Sequence, residues 1–222
     1  QFEPYAAGLR SPAGIGISKD DELFFTDNQG DWEASSSLHH IVKGRFHGHP
    51  SSLMDHPDYK GKDLNSISIE DYEKVWSRPA VWIPHGELAI SPGEPIFDYT
   101  GGKFGPFKGQ IFIGDQGRSN LMRVALQKVN GEYQGVIFDF VNRLQTGCIR
   151  HVFAEDGSLW VGQTGRGWGS AGGKEFGLQR VVWDGKTKPF AMYDVKLIQT
   201  GFRITFTKPI DIGHANETKT YV

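Results

Sequence analysis

The sequence has very little cysteine: Cys148 is the single one among 222 residues. One cysteine excludes an internal disulfide, and it excludes a CxxCH haem-attachment motif within these residues. Long apolar runs are also lacking, because none approaches the roughly 20 apolar residues that a membrane-spanning helix needs. The sequence therefore predicts a chain without a haem-attachment site and without a membrane span.

An excess of charge of either sign is lacking as well. The 24 lysines and arginines stand against 26 aspartates and glutamates, so the formal net charge is −2. No cluster of Lys and Arg forms the basic patch that is typical of nucleic-acid-binding proteins. The sequence also shows no Gly-rich phosphate loop and no nucleophile elbow, which argues against kinase and α/β-hydrolase chemistry.

Glycine and aromatic residues, in contrast, are plentiful. The chain contains 29 glycines, 15 phenylalanines and 6 tryptophans, but only 3 methionines. This composition favours many short strands joined by tight turns over a helical bundle. With 222 residues, 38% of them hydrophobic, the chain is long enough and apolar enough to bury a sizeable core. We therefore expect an all-β fold.

A repeated pattern runs along the chain. Three segments share an apolar strand, a turn, a second apolar strand and a polar loop that leads to a third strand; the second strands are 23–27, 110–115 and 159–163. In the last copy, the Asp156-Gly157 pair is a strong hairpin signal. Asp115 and Gln163 are separated by about the 40 to 50 residues of one four-stranded propeller blade. The repeat thus predicts a β-propeller.

The repeat also suggests how the chain is divided. The interval between the first two copies is longer, and we expect an insertion around 44–80, where the sequence is polar and interrupted by proline. Residues 1–188 are predicted to form a partial propeller, and 189–222 a linker with the first strands of a following β-sandwich. About three blades cannot close a ring of typically 4 to 8. Since the chain also begins without Met or a signal peptide, we expect a piece of a larger or processed protein, completed by other segments or a partner.

Several motifs are long enough to compare with known proteins: GLRSPAGI at 8–15, TDNQGDW at 26–32, GDQG at 114–117, VNGEYQG at 129–135 and GQTGRGWG at 162–169. They resemble the glucose/sorbosone dehydrogenase-like propellers of bacteria, and the resemblance covers most of the chain. It implies a six-bladed propeller in a periplasmic or secreted protein. It also implies pyrroloquinoline quinone (PQQ) as the cofactor of the sugar-oxidising members, with a c-type cytochrome domain that accepts the electrons. Calcium is a further cofactor by analogy with the family.

The resemblance implies a catalytic site on the central face of the propeller. There a histidine takes the proton of a sugar hydroxyl, while Arg, Asn and Gln side chains hold the quinone. His85 lies between Pro84 and Gly86 ahead of an expected strand, which makes it the candidate base. The alternative is a loop histidine that bonds to the backbone.

Candidates for cofactor binding lie where successive blades begin or where their second strands end, because these positions converge on one face of a propeller. They are Arg10, Asn28, Gln116, Arg118, Arg150, Gln163, Arg166 and Trp168. Salt bridges, caps and packing between blades are the alternative roles of these side chains. Asp27 and Asp115 are candidate calcium ligands, and the alternative is that both carboxylates accept backbone amides in turns.

A group of histidines, among them His39, His40 and His47, suggests a metal site less strongly. His39 and His40 would point to opposite faces of a strand, so they cannot bind one ion together without distortion. No HExxH motif and no cysteine pair accompanies them.

Three functions follow from these observations. The leading one is a PQQ-dependent dehydrogenase that oxidises a sugar or polyol and passes electrons to a cytochrome. The second is a non-catalytic propeller that binds a glycan or a protein partner. The chain is part of an enzyme unless this second function is the right one. The third is a calcium-dependent, lactonase-like hydrolase, which would need Asp and Asn side chains around one ion on the axis.

Overall fold

The first four strands form one antiparallel sheet. The computed structural model describes residues 2–165, 167–217 and 219. Its first sheet consists of β1 (Ile15–Ile17), β2 (Leu23–Asp27), β3 (Ser36–Ile41) and β4 (Val81–Ile83). Each strand pairs with the next one along the chain, which is the order of a propeller blade.

Two further sheets repeat this order. The second blade contains β5 (Pro92–Phe97), β6 (Ile111–Asp115), β7 (Asn120–Val129) and β8 (Glu132–Val141). Between β7 and β8, Asn130 and Gly131 have φ of 50° and 88°, as the two residues of a tight hairpin turn require. The third blade contains β9 (Cys148–Phe153), β10 (Leu159–Thr164) and β11 (Phe176–Val181).

The core lies between the blades, because side chains of a strand alternate between its two faces. In β6, Ile111 and Ile113 belong to the cluster shared with the first blade, where they meet Phe24. Phe112 of the same strand faces the other way, into the cluster shared with Leu159 of the third blade. The second blade is therefore buried on both faces, which explains why β6 begins with three consecutive apolar residues.

The segment between β3 and β4, predicted as an insertion, has a small core of its own. It contains two 3-10 helices, Pro50–Asp55 and Leu64–Ser66, and the helix α1 (Ile69–Val75). Ser68 caps α1 by accepting a hydrogen bond from the Asp71 amide. Phe46, Tyr72 and Trp76 pack in this core and against Trp32.

The last strands form a hairpin beside the second blade. β12 (Met192–Ile198) pairs with β13 (Gly201–Phe206), and the short helix α2 (Ile212–Ala215) follows. The buried Arg123 of β7 donates to the carbonyl oxygens of Met192 and Tyr193 at 2.7 and 3.0 Å. Its guanidinium also lies 4.1 Å from the ring centre of Phe107. That this hairpin begins a β-sandwich stays a prediction.

The structure confirms the all-β fold and shows three successive blades of an open propeller. In the part of the chain that the structure describes, no helix is long and apolar enough to cross a membrane. β5 escaped the sequence analysis because Pro92 and Pro95 interrupt it. Proline is tolerated there because β5 is the edge strand of its sheet, and its pairing with β6 shifts register between the two prolines.

Candidate functional site

A polar cavity of about 930 Å³ lies where loops of the three blades meet. Its walls come from the residues ahead of the inner strands β1 and β5, from the loops that follow β2 and β6, and from the loop that follows β10. Five of the predicted site residues line it: Arg10, Asn28, His85, Gln116 and Trp168. The repeat of the sequence therefore brings distant side chains to one place, as equivalent positions of propeller blades should.

Two equivalent aspartates shape the wall of this cavity. The Asp27 carboxylate accepts the backbone amides of Arg10 and Ser11, both at 2.7 Å. Asp115 at the end of β6 accepts the amides of Ile90 and Ser91 at 3.0 and 2.7 Å. Each carboxylate thus ties the end of a second strand to the residues that precede the inner strand of its blade. The signal in the sequence, not recognised there, is the Ser-Pro pair repeated at 11–12 and 91–92.

The same two aspartates were the candidate calcium ligands. Burial raises the pKa of Asp115. The hydrogen bonds that its carboxylate accepts from backbone amides, including that of Arg118 at 2.6 Å, favour the charged form. Within the ranges that the structure describes, no group of three or more His, Cys, Asp or Glu side chains could hold a metal ion. A role of Asp27 and Asp115 in binding calcium stays a prediction.

His85 lies in the loop between β4 and β5, with its side chain exposed. Its backbone amide donates to the hydroxyl of Ser35 at 3.1 Å, and the next residue, Gly86, has a φ of 79° that suits glycine. The backbone is therefore held, while the imidazole stays free to reach a molecule in the cavity. His49, contributed by the insertion, lines the same cavity and was not predicted.

The polar side chains of the cavity have unused hydrogen-bonding capacity. The Asn28 amide nitrogen lies 3.4 Å from the Ser91 hydroxyl, but its buried Oδ1 finds no partner among the described residues. Gly30 leaves room for Arg10, because a Cβ at this glycine would lie 2.7 Å from the Arg10 Cδ. Trp168 is 90% exposed and presents a free ring. Gln116 donates to the Gly169 carbonyl at 2.8 Å and fixes the loop that carries this tryptophan.

The remaining predicted site residues lie elsewhere. Arg150 of β9 donates to the Ala13 carbonyl and lies 3.8 Å from Glu94, so it joins the third blade to the two before it. Gln163 takes the place of Asp27 and Asp115 in the third blade, and its amide donates to Gln179 at 2.7 Å. Arg118 faces a neighbouring cavity. Arg166 lies outside the described residues.

A buried polar network beneath the insertion supports the cavity loop that follows β2. Glu33 accepts hydrogen bonds from the Trp76 ring nitrogen at 2.9 Å and from the Ser37 hydroxyl at 3.0 Å. The same carboxylate lies 3.3 Å from His39, and the Glu33 carbonyl accepts the amide of Gly30 at 2.7 Å. The loop that presents Asn28 is therefore anchored to buried groups and does not depend on surface contacts.

Histidines near this network lie on both sides of β3, and a metal site among them stays a prediction. His39 stacks on Phe25 under the insertion, whereas His40 on the other face of β3 lies 2.7 Å from Glu22, as the alternation of a strand predicts. His47 packs against His39. Burial and the neighbouring His39 lower the pKa of His47 to about 3, so this imidazole is neutral at physiological pH.

The chemistry of the cavity suits a flat, polar ring system. The Arg10 guanidinium can pair with an anionic group, the amides of Asn28 and Gln116 can hold oxygen or nitrogen atoms, and the exposed Trp168 ring can stack. A cavity of this size is within the range of about 300–1,000 Å³ that small-molecule sites occupy.

Known proteins share this architecture. The sequence profile of the family described as Glucose / Sorbosone dehydrogenase matches residues 2–168. An oxidoreductase of Thermus thermophilus that is assigned as a glucose dehydrogenase has a similar structure, with a TM-score of 0.53 and 19% identity over 79% of this chain and 46% of its own. The PQQ-bound aldose sugar dehydrogenase of Streptomyces coelicolor has a TM-score of 0.51 and 19% identity, over 81% of this chain and 45% of its own. The chain thus spans less than half the length of these structures. Comparison with the curated proteins found no match.

Proposed function

Because the chain belongs to the glucose/sorbosone dehydrogenase family, we propose that it is part of a PQQ-dependent dehydrogenase that oxidises a sugar or polyol in the cavity shared by the three blades. The observation that carries the proposal is the convergence of His85, Arg10 and Asn28 from separate blades or loops on this one cavity. A related solved structure is a PQQ-bound sugar dehydrogenase, which supports the same cofactor here.

His85 is the residue that we assign to proton transfer. Oxidation of an alcohol removes the hydroxyl proton and a hydride from the carbon, and PQQ, when bound, accepts the hydride equivalent. A base with a pKa near neutrality is the most effective proton acceptor at physiological pH. The His85 imidazole is exposed to the cavity on a loop whose backbone is fixed, so it can approach a hydroxyl without rearrangement of the blade.

Arg10, Asn28, Gln116 and Trp168 would hold the cofactor. Arg10 places a permanent positive charge beside an anionic group and stabilises negative charge that develops during reduction. Asn28 lines the cavity and would contact the cofactor through its side chain, and the exposed Trp168 would cover a ring face. Gln116 is tied to the Gly169 carbonyl, so its part is to position the Trp168 loop.

Electron transfer to a c-type cytochrome and a periplasmic or secreted location are further parts of this proposal, supported by the resemblance of the sequence to the family. Within the chain, the single cysteine leaves no CxxCH motif, so the acceptor would be another segment or another protein. Calcium is a weaker part, because the hydrogen bonds from backbone amides already occupy most of the lone pairs of Asp27 and Asp115.

One observation favours a second function, a non-catalytic module that binds a glycan. Arg10 is the one cationic side chain among the described residues that line the cavity, whereas PQQ carries several carboxylates. A neutral sugar that stacks on Trp168 would need no further cation. The lactonase-like alternative finds no such support, since the described chain has no cluster of carboxylates that could hold an ion.

Binding and turnover separate the two functions. The protein that contains this chain is mixed with PQQ, binding is followed by quenching of tryptophan fluorescence, and dye reduction is measured over a panel of sugars and polyols. We expect His85→Asn to lower kcat by about 10²–10⁴-fold while PQQ binding is unchanged, with His214→Asn on α2 as the control. PQQ binding without turnover of any sugar would refute the dehydrogenase, and absence of PQQ binding would leave the glycan-binding module.

A further inference from the structure

A second cavity, of about 700 Å³, lies next to the first one. The two are separated by the loops that follow β6 and β10, which are joined by the hydrogen bond from the Ala171 amide to the Gly117 carbonyl at 2.9 Å. Arg118 lines the second cavity, whereas its neighbour Gly117 lines the first. The loop that carries His85 borders both, because Glu87 and Leu88 reach the second cavity.

One residue with a strained backbone lies at this second cavity. Four non-glycine residues of the described chain have positive φ. Asp21, Ser119 and Asn130 lie in hairpin turns, where this conformation is common. Arg143, with a φ of 61°, lies outside a hairpin turn and lines the second cavity. Such strain persists where a binding site requires a particular direction of a side chain.

The cations of this cavity are unpaired. Arg118, Arg143 and Lys174 line it, and in the described part of the chain none of them forms an ion pair. Other exposed arginines do so: Arg45 binds Glu132 at 2.6 Å, and Arg180 binds Asp156. Three free cations around one concave surface attract an anion, and arginine guanidinium groups suit a carboxylate in particular.

A buried amide holds part of the cavity wall in place. Asn120 is only 3% exposed, and its amide nitrogen donates to the Leu88 carbonyl at 3.0 Å. Both residues line the second cavity. The loop that carries His85 and Glu87 is therefore tied to the start of β7.

The acidic side chains narrow the class of ligand. Glu87 and Asp139 line the cavity beside the three cations, and Asp139 already accepts a hydrogen bond from Asn142. These carboxylates repel a highly charged phosphate, but they accept hydrogen bonds from hydroxyl groups. The cavity thus suits a molecule in which each ring carries one carboxylate and several hydroxyl groups.

We propose that this second cavity binds an acidic saccharide, with its carboxylate on Arg143 and Lys174 and its hydroxyls on Glu87 and Asp139. The site is independent of the dehydrogenase proposed above, because none of these four residues lines the first cavity. An acidic saccharide bound there would contact the opposite side of the wall that carries His85 and Gln116.

Isothermal titration calorimetry tests the site with trigalacturonate as the acidic probe and maltotriose as its neutral counterpart. We expect trigalacturonate to bind at least about tenfold more tightly than maltotriose, with an affinity that falls as salt rises. The double change Arg143→Gln and Lys174→Gln should weaken binding at least about tenfold. The matched control Arg203→Gln, which removes an exposed cation of β13, should not change it.

A second variant separates binding from folding. Arg143→Gly removes the charge and the positive-φ strain together, so we expect trigalacturonate binding to be lost while Tm stays equal or rises. Equal affinity for the two trisaccharides, or unchanged affinity in the double variant, would overturn the proposal. So would displacement of trigalacturonate by PQQ together with weaker PQQ binding in the double variant, because the cavity would then belong to the cofactor.

Discussion

The outer faces of the first and third blades differ in how they are covered. On the first blade, Phe25 of β2 and His39 of β3 are fully buried because the insertion with His47 lies over them. On the third blade, Leu178 of β11 is 66% exposed and Phe176 is 77% exposed. Both faces carry apolar residues at alternate positions of their strands, yet only one has a cover within the described chain.

A comparison of β6 with β10 shows that the outer face of the third blade lacks a neighbouring blade. Phe112 and Gly114 in β6 occupy the positions of Trp160 and Gly162 in β10. Phe112 is 0% exposed because the third blade packs on it, whereas Trp160 is 38% exposed. A Cβ at Gly114 would overlap the Cys148 sulfur of the next inner strand, whereas one at Gly162 would meet only the Arg150 carbonyl at 3.4 Å. Burial is therefore set by the neighbouring blade and not by the strand itself.

The largest effect is expected on the free energy of unfolding, which Phe112→Ala should lower far more than Trp160→Ala. Loss of the Phe112 ring leaves a void between two blades and should lower the free energy of unfolding by about 3–5 kcal/mol. The same change at Trp160 should cost about 1 kcal/mol or less, because its ring is partly in water. Urea unfolding of both variants measures the difference, and equal losses would contradict the asymmetry.

Arg123→Ala tests the cover that the C-terminal hairpin forms over the second blade. The variant removes the hydrogen bonds that Arg123 donates to the carbonyl oxygens of Met192 and Tyr193, of which only Tyr193 keeps another donor, the Gln110 amide at 2.9 Å. We expect a loss of about 3 kcal/mol. Hydrogen exchange of the β12 and β13 amides should accelerate more than that of β6. Arg203→Ala on the exposed side of β13 is the control, and an equal effect of the two changes would show that Arg123 does not hold the hairpin.

Acidification should weaken the buried interfaces. Burial lowers the pKa of His47 to about 3 and that of His151 to about 4, both below the unfolded value near 6.5. The folded state therefore resists protonation. Stability is full above about pH 6.5 and falls as the pH drops toward these values, by up to about 1.4 kcal/mol per pH unit and histidine.

His47→Phe should flatten this dependence between about pH 6.5 and 4, because it removes the group that must take up a proton on unfolding. Tm measured over pH 4–7 for the wild type and the variant gives the comparison, and His214→Phe at the exposed helix α2 is the control. An unchanged slope in His47→Phe would show that His47 is not held neutral beneath the insertion.

The smallest effect is expected on the open face. Arg180 pairs with Asp156 and lies 5.6 Å from the centre of the Trp160 ring, but both partners of the ion pair are exposed. Arg180→Gln should change the free energy of unfolding by less than about 1 kcal/mol. A larger loss in urea unfolding would show that this face is more ordered than its exposure indicates.

Much of the fold was predictable because local patterns and tertiary packing agree. Alternation and turn residues identified β2, β6 and β10. β5 was missed because Pro92 and Pro95 contradict the local signal of a strand. Only its place at the edge of the sheet makes these prolines acceptable, and edge position is a property of the assembled blade.

The candidate site was predictable where the repeat holds. Arg10, Asn28 and Gln116 reached one cavity because their places in the blades are equivalent. Arg118 did not, because it lies two positions beyond Gln116 in the same turn and lines the neighbouring cavity. Gln163 did not, because it lies within β10 at the place of Asp27 and Asp115 and bonds to Gln179. His49 could not be assigned from its neighbours, since the insertion brings it to the cavity across a long stretch of chain.

The sequence by itself determined the class of fold, the period of the blades and the residues at their loop ends. These depend on alternation and turn chemistry, which act over a few residues. The tertiary structure alone decided that Asp27 and Asp115 hold backbone amides, that Glu33 anchors the cavity loop, and that three cations surround a second cavity. The physical reason is that a partner distant in the chain, brought near by the packing of blades, selects among the several roles that each polar side chain can take.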